Sequence, residues 1–219
     1  MERVLAYSSD DYFQPFTPQF LQRIQQKSTT EPLEELETLQ MQLEPAREHI
    51  HAMWKKLVRT HLDLYRGALF DPKVPRDDDA KRLIYISTKE DENHVRDALD
   101  KARGALIHQI TLGFHDDLRE QDLPEIEIRR LPPIDQPMQI ADSQHSLMYL
   151  PYPYVVPGPR FNEMYNWDTA FVVRGLLQDE KFDLALAFVE NMFYQIEHYG
   201  TILNGNRTYY YDAKKSRSQ

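Results

Sequence analysis

Apolar positions fall into helical and extended stretches separated by polar, proline-bearing segments. From Glu31 the spacing is helical: Leu33, Leu36, Leu39 and Leu43 recur every three or four residues. Pro45 lacks the N–H that a helix interior uses and is expected to interrupt the run. A second helix is expected beyond it, with Ile50, Met53, Trp54, Leu57, Val58, His61, Leu62 and Tyr65 on one face and Gly67 placed to end it. Residues 71–79 (DPKVPRDDD) read as a charged loop. Leu83 to Ser87 (LIYIS) is a short apolar run compatible with a strand. Glu90 to Leu112 has helical spacing at Val95, Ala98, Leu99, Ala102, Leu106 and Ile110, and the proline-rich stretch 121–137 reads as an extended connector with room for one strand.

From Leu147 the character changes. Residues 147–168 (LMYLPYPYVVPGPRFNEMYNWD) are dense in aromatics and prolines, which impose an extended path. Two helices are then expected, from about Asp168 to Leu177 and from about Asp179 to Tyr199, joined as an antiparallel hairpin. In the second, Phe182, Leu186, Val189, Phe193 and Ile196 step by four, three, four and three, and Gly200 suits the position just past its end. Residues 203–219 carry no closing hydrophobic element, which suggests a cut chain, and residues 1–30 are polar and read as irregular.

Composition narrows the function classes. Of 219 residues, 41% are apolar and 11% aromatic, enough to build a core. A formal net charge of −9 argues against nucleic acid or an anionic membrane as partner, because both require a basic face. No cysteine is present, which removes disulfides, thiolate metal sites and cysteine nucleophiles together. The first residues hold Asp10 and Asp11 and no apolar run of the kind a secretory leader needs, so a cytoplasmic location is expected.

Nucleotide-binding glycine loops, HExxH and GxSxG are absent. His49 and His51, two apart, diverge on a helix and lack a carboxylate to complete a ligand set, so no metal is expected. The cluster that carries chemistry is 157–168, PGPRFNEMYNWD, followed by Asn204-Gly205-Asn206-Arg207 and Ser216-Arg217-Ser218-Gln219. Arg, Asn, Asp and Gln supply paired hydrogen bonds for sugar hydroxyls, and Trp, Tyr and Phe supply flat faces for sugar C–H surfaces. Each residue also has a structural reading. Asp168 could cap the helix it precedes; Phe161, Tyr165 and Trp167 could pack a loop onto the core; Arg160 could pair with Glu163 on the surface.

PYVVPGPRFNEMYNWD resembles the first signature of the trehalases, PGGRFxExYxWDxYF, and LNGNRTYYY followed by SRSQ is similar to the pair of motifs that comes next in that family. HSLMYLPYPYVV also matches the approach to the signature. The resemblance covers about 145–219, with a weaker echo in EHIHAMWKKLVRTH at 48–61. Three departures bear on substrate identity: Pro159 replaces the second glycine, Asn166 follows Tyr165 where an aromatic is common, and Asp212-Ala213-Lys214-Lys215 lengthens the path to SRSQ. The resemblance implies a mainly α fold, a partial (α/α)6 toroid of one or two helical hairpins behind an irregular, mostly helical N-terminal region. It divides the chain into 1–30, a helical region 31–144 carrying an insertion at 66–144, and 145–219 as the start of the catalytic domain. It places Arg160, Phe161, Tyr165, Trp167, Asp168, Asn204, Arg217 and Gln219 around the cleaved glucosyl unit of trehalose or a related α-glucoside. Trehalases invert, using a carboxylic acid and a carboxylate roughly 6.5–9.5 Å apart. The resemblance puts that Asp acid and Glu base downstream of SRSQ, so no catalytic residue is expected here, and a non-catalytic sugar-binding or scaffold fragment stays open beside the two hydrolase readings. It implies no cofactor or metal and a small sugar as the only ligand, with no nucleic acid or membrane partner.

Overall fold

The structure is a computed structural model and describes residues 31–71, 73, 82–115, 117–133, 136, 140–141 and 144–215. The chain divides into two compact units, residues 1–52 and 53–219. In order, the elements are α1 (Glu31–Leu57), β1 (Val58–Arg59), α2 (His61–Phe70), β2 (Arg82–Ser87), α3 (Glu92–Thr111), a short 3₁₀ turn (Glu120–Asp122), β3 (Ile126–Leu131), β4 (Leu147–Met148), β5 (Tyr154–Val155), α4 (Asn166–Gln178), α5 (Phe182–Tyr199) and α6 (Thr208–Lys215). The fold is mainly α, as expected.

Two expected breaks fall elsewhere. Pro45 sits inside α1, which runs on to Leu57 with the loss of a single N–H bond. The interruption comes at Val58–Arg59 instead. This pair leaves the helix to make a two-residue antiparallel ladder with Tyr154–Val155, the approach to the signature segment. Gly67, expected as a helix end, lies buried within α2. A Cβ there would meet Leu147 Cδ1 at 2.8 Å and Asn162 Cγ at 3.3 Å, so glycine serves a close approach, not a stop.

Residues 82–131 form a β–α–β unit: β2 and β3 run parallel, with α3 between them in sequence. β4 joins the other edge of β2, also parallel, giving the order β3-β2-β4. LIYIS is apolar without alternation because both faces of the central strand are covered. Ile84 and Ile86 pack with Leu64, Leu99 and Leu106 of α2 and α3. Leu83 and Tyr85 join the other core with Leu176, Phe188 and Tyr199 of the hairpin. The expected α3 is present, opened by Asp91, whose carboxylate accepts from Asn93 N.

The hairpin differs in detail from its sequence reading. α4 starts at Asn166 with Tyr165 as its N-cap, so Asp168 sits in the first turn and is not the cap. α5 starts at Phe182, and Gly200 takes the left-handed conformation (φ 73°) at its end. The stripe Phe182, Leu186, Val189, Phe193 and Ile196 is exposed, while Ala185, Phe188, Asn191, Gln195 and Tyr199 face the core. Asn191 and Gln195 bury their amides against backbone: Asn191 donates to Tyr152 O at 2.9 Å, and Gln195 Oε1 accepts from Leu203 N at 3.1 Å. These polar contacts hide the core face from a hydrophobic pattern. The tail expected to lack a closing element forms α6 up to Lys215.

Candidate functional site

The signature segment is held from below by residues that look ordinary in the sequence. Arg59, freed by the break after α1, is buried and donates to Pro159 O at 2.9 Å and to Phe161 O at 3.0 and 2.9 Å. It also donates to Lys56 O and Val58 O, so its whole guanidinium is spent on backbone carbonyls. Tyr154 donates its hydroxyl to Asn162 O at 2.7 Å. The turn bearing Arg160 is thus fixed at both ends by side chains from elsewhere in the chain.

The NGNR segment is stitched to the signature by backbone and amide bonds. Tyr165 and Gly205 form a single antiparallel bridge, and Asn166 N donates to Asn204 O at 3.1 Å. Asn206, buried, accepts from Met164 N at 2.8 Å and donates to Met148 O at 2.9 Å, joining three strands of chain with one side chain. Gly205 is required by proximity: a Cβ would come within 2.9 Å of Tyr210 Cε2.

Beneath both segments lies a buried ionic cluster. Arg207, 1% exposed, donates Nε to Glu163 Oε1 at 2.7 Å and Nη2 to Asp71 Oδ2. Glu163, 0% exposed, also accepts from Lys73 Nζ at 2.7 and 2.9 Å and from Asn162 N at 3.1 Å. Asp71 takes Asn162 Nδ2 at 3.0 Å and Lys73 N at 2.8 Å. Burial on its own would raise the Asp71 carboxyl, but the hydrogen bond from Asn162, the Arg207 charge and the Lys73 N–H together hold it below its usual 3.8. The surface pair Arg160–Glu163 does not form; Glu163 turns inward because Arg207 and Lys73 compensate its burial. With both oxygens engaged, Glu163 is also not presented to a substrate alongside Asp168.

The proposed ligand-facing groups lie on the two segments that this cluster joins. Arg160 is exposed, with its guanidinium over the Phe161 ring at 4.8 Å, and Phe161 meets Tyr165 edge-on at 5.4 Å. Tyr165 meets Tyr210 edge-on at 6.3 Å. Trp167 is 74% exposed, an unusual place for an indole, and Asn204 is exposed beside the bridge. Asp168 follows Trp167 in the first turn of α4. Burial raises its carboxyl above the usual value, opposed in part by a hydrogen bond from the Trp167 side chain. The structure brings together Arg160, Phe161 and Tyr165, and carries Trp167, Asp168 and Asn204 from the same two joined segments. Arg217 and Gln219 lie outside the described residues.

Sequence reasoning missed Arg59, Asp71 and Lys73, and read Asn206 and Arg207 only as members of a sugar-recognising group. Nothing in the spacing marks Arg59 or Asp71 as partners of residues about 100 and 136 positions away. The one available signal for Arg207 was a cation between a glycine-containing turn and an aromatic run. Among the described residues, no group of three or more His, Asp or Glu is placed to hold a metal ion, and no helix is long and apolar enough to cross a membrane.

Comparison with known proteins points to one family. A family model described as Trehalase matches residues 115–219. The chain is 54% identical over 59 residues to the cytosolic neutral trehalase of Kluyveromyces lactis, an overlap of 27% of this chain and 8% of that protein. It is 34% identical over 179 residues to the periplasmic trehalase of Xanthomonas oryzae pv. oryzae, covering 68% of this chain and 30% of that protein. Among solved structures, neutral trehalase Nth1 from Saccharomyces cerevisiae superimposes with a TM-score of 0.51 at 26% identity, over 73% of this chain and 29% of that one. The chain thus spans 8% and 30% of the length of these two curated relatives.

Proposed function

Since the chain belongs to the trehalase family, we propose that it supplies the glucosyl-binding wall of an α,α-trehalase, an enzyme hydrolysing trehalose to two glucose molecules by an inverting acid/base mechanism. The observation that carries this reading is the junction of the WD signature with NGNR. The Tyr165–Gly205 bridge sets Arg160, Phe161, Trp167 and Asp168 on one segment beside Asn204 on the other. Arg160 and Asp168 offer charge-assisted hydrogen bonds to sugar hydroxyls, and Trp167 offers an exposed ring for a sugar face. Arg217 and Gln219 complete the ligand set by family resemblance. The Asp acid and Glu base are assigned outside these 219 residues, and Glu163, the glutamate within the signature, is committed to Arg207 and Lys73. The ligand is a small sugar, with no nucleic acid or membrane partner. We place the chain in the cytoplasm by its likeness to the cytosolic relative.

A related α-glucoside is the second reading. It is favoured by Pro159, whose fixed φ replaces glycine freedom at the turn next to Arg160, and by Asp212–Lys215, which here extend α6.

Both are tested by titrating trehalose and maltose into the purified protein and assaying glucose release from each. The 219-residue chain is expected to bind trehalose more tightly than maltose without turnover. Preference for maltose would support the second reading. Binding of neither sugar would sink both, and turnover by the 219-residue chain would make Glu163 and Asp168, the two carboxylates of the signature, candidate catalysts.

A further inference from the structure

We propose that Arg207 and Glu163, with Asp71 and Lys73, are positioning residues that hold the two sugar-facing segments in register, and that they touch no sugar themselves. This rests on the reading of the site given above.

The argument starts from connectivity. Arg160, Phe161 and Tyr165 lie on one segment and Asn204 on another, about 40 residues along the chain. The backbone bridge near Tyr165 and the Asn206 amide, which accepts from Met164 N, join them on one side, and an ionic cluster joins them on the other. Arg207, three residues after Asn204, reaches Glu163, three residues after Arg160, at 2.7 Å. Its second arm reaches Asp71 at the end of α2, and Asp71 in turn holds Asn162 at 3.0 Å. Lys73 closes the ring onto Glu163 at 2.7 Å and lies 5.3 Å from the Phe161 ring centroid. Three separate stretches of chain therefore meet on two carboxylates and one guanidinium.

Burial explains why the device is stiff. Arg207, Asp71 and Glu163 are each 4% exposed or less, so the charges cannot exchange their partners for water. A planar guanidinium has a fixed fork, and with Asp71 on one nitrogen and Glu163 on another it defines a distance and an angle between them. Hydrophobic packing alone would tolerate a shift of the loops, because it is non-directional. Sugar recognition by paired hydrogen bonds does not tolerate such a shift.

The consequence separates positioning from mere stability. Breaking the cluster should loosen residues 158–166 and 203–208 together, and loosen the sugar site with them. An equally destabilising change elsewhere should do neither. Glu163→Gln is the main variant, since it keeps the shape and removes the charge. Lys73→Met removes only the part-exposed member and serves should Glu163→Gln fail to fold. Leu106→Ala, a core truncation in α3 away from the cluster, is the stability control.

All are compared with the unsubstituted chain at equal distances below their own Tm, by backbone hydrogen exchange and by trehalose titration. In Glu163→Gln, and to a lesser degree in Lys73→Met, both segments should exchange faster and the trehalose Kd should weaken on the order of tenfold to a hundredfold. Leu106→Ala should leave both readouts as in the unsubstituted chain. The proposal is overturned if only one segment loosens, if neither does, or if Leu106→Ala loosens both equally. If the unsubstituted chain fails to bind trehalose, the sugar reading fails, and the exchange pattern alone decides whether the cluster couples the two segments.

Discussion

Asp168 carries opposite expectations for stability and for binding. A carboxyl whose pKa is raised on folding favours the fold below its unfolded value of 3.8, and that contribution is lost as pH rises through the folded value. At pH 7 the ionised group is therefore held at some cost, although its place in the first turn of α4 suits a negative charge. Asp168→Asn should leave Tm at pH 7 unchanged or slightly higher while trehalose binding falls sharply. A fall in Tm with unchanged binding would make the residue structural. Arg160 has the same logic with less burial. Its one described contact is with the Phe161 ring, so Arg160→Ala should barely move Tm but weaken sugar binding by about 1.5–3 kcal/mol. Asp71 runs the other way. Its depressed carboxyl stabilises the fold above 3.8, and this is lost as pH falls below that value. Unfolding midpoints followed from pH 7 to pH 2 should show the unsubstituted chain well above Asp71→Asn at neutral pH and converging on it below 3.8. A gap that stays constant across the range would remove Asp71 from the acid response.

Among the elements, periodicity revealed what it could and hid what depended on distant partners. α3, LIYIS and the α4–α5 hairpin were legible because their spacing or apolar run reports burial directly. The sheet order was not, since β4 is two residues long and is recognised only by its register with Ile84 and Tyr85. The end of α1 was illegible for a related reason: Val58 and Arg59 leave the helix for Tyr154 and Val155, nearly 100 positions away. The cap reading of Asp168 fails because the helix starts two residues earlier, at Asn166, behind a Tyr165 whose side chain makes no cap bond and so gives no start signal. Gly67 offers the test at this scale. As a helix residue it should gain about 1 kcal/mol on becoming alanine, yet the added Cβ would press on Leu147, fully buried, and on Asn162 of the ionic cluster. Overpacking costs roughly 1–3 kcal/mol, so Gly67→Ala should lower Tm by a few degrees, as calorimetry would show. A rise in Tm would mean that propensity outweighs the close approach and that Gly67 was a simple helix flaw.

At the scale of the whole molecule, the same hairpin that builds the core also displays a second apolar face. Phe182 is 60% exposed and Phe193 63%, with Leu186, Val189 and Ile196 completing a stripe along α5. The sequence announced this stripe clearly. What it did not announce was the direction, because α5 buries its other side with Ala185, Phe188 and two amides, a face too polar to stand out. A contiguous apolar surface of this kind is rarely left in water by a soluble protein. The 219-residue chain studied alone should therefore bind a hydrophobic dye and show sedimentation that rises with protein concentration. The paired substitution Leu186→Glu and Phe193→Glu should suppress both. Since these side chains stand outside the core clusters, the pair should leave Tm nearly where it was. If dye binding and association persist while Tm drops, the stripe is packed in solution and α5 presents a different face from the one described. If they disappear with Tm retained, the core of residues 53–219 needs no cover on α5 to stay folded, and the exposed stripe is a surface property separable from the sugar-facing edge.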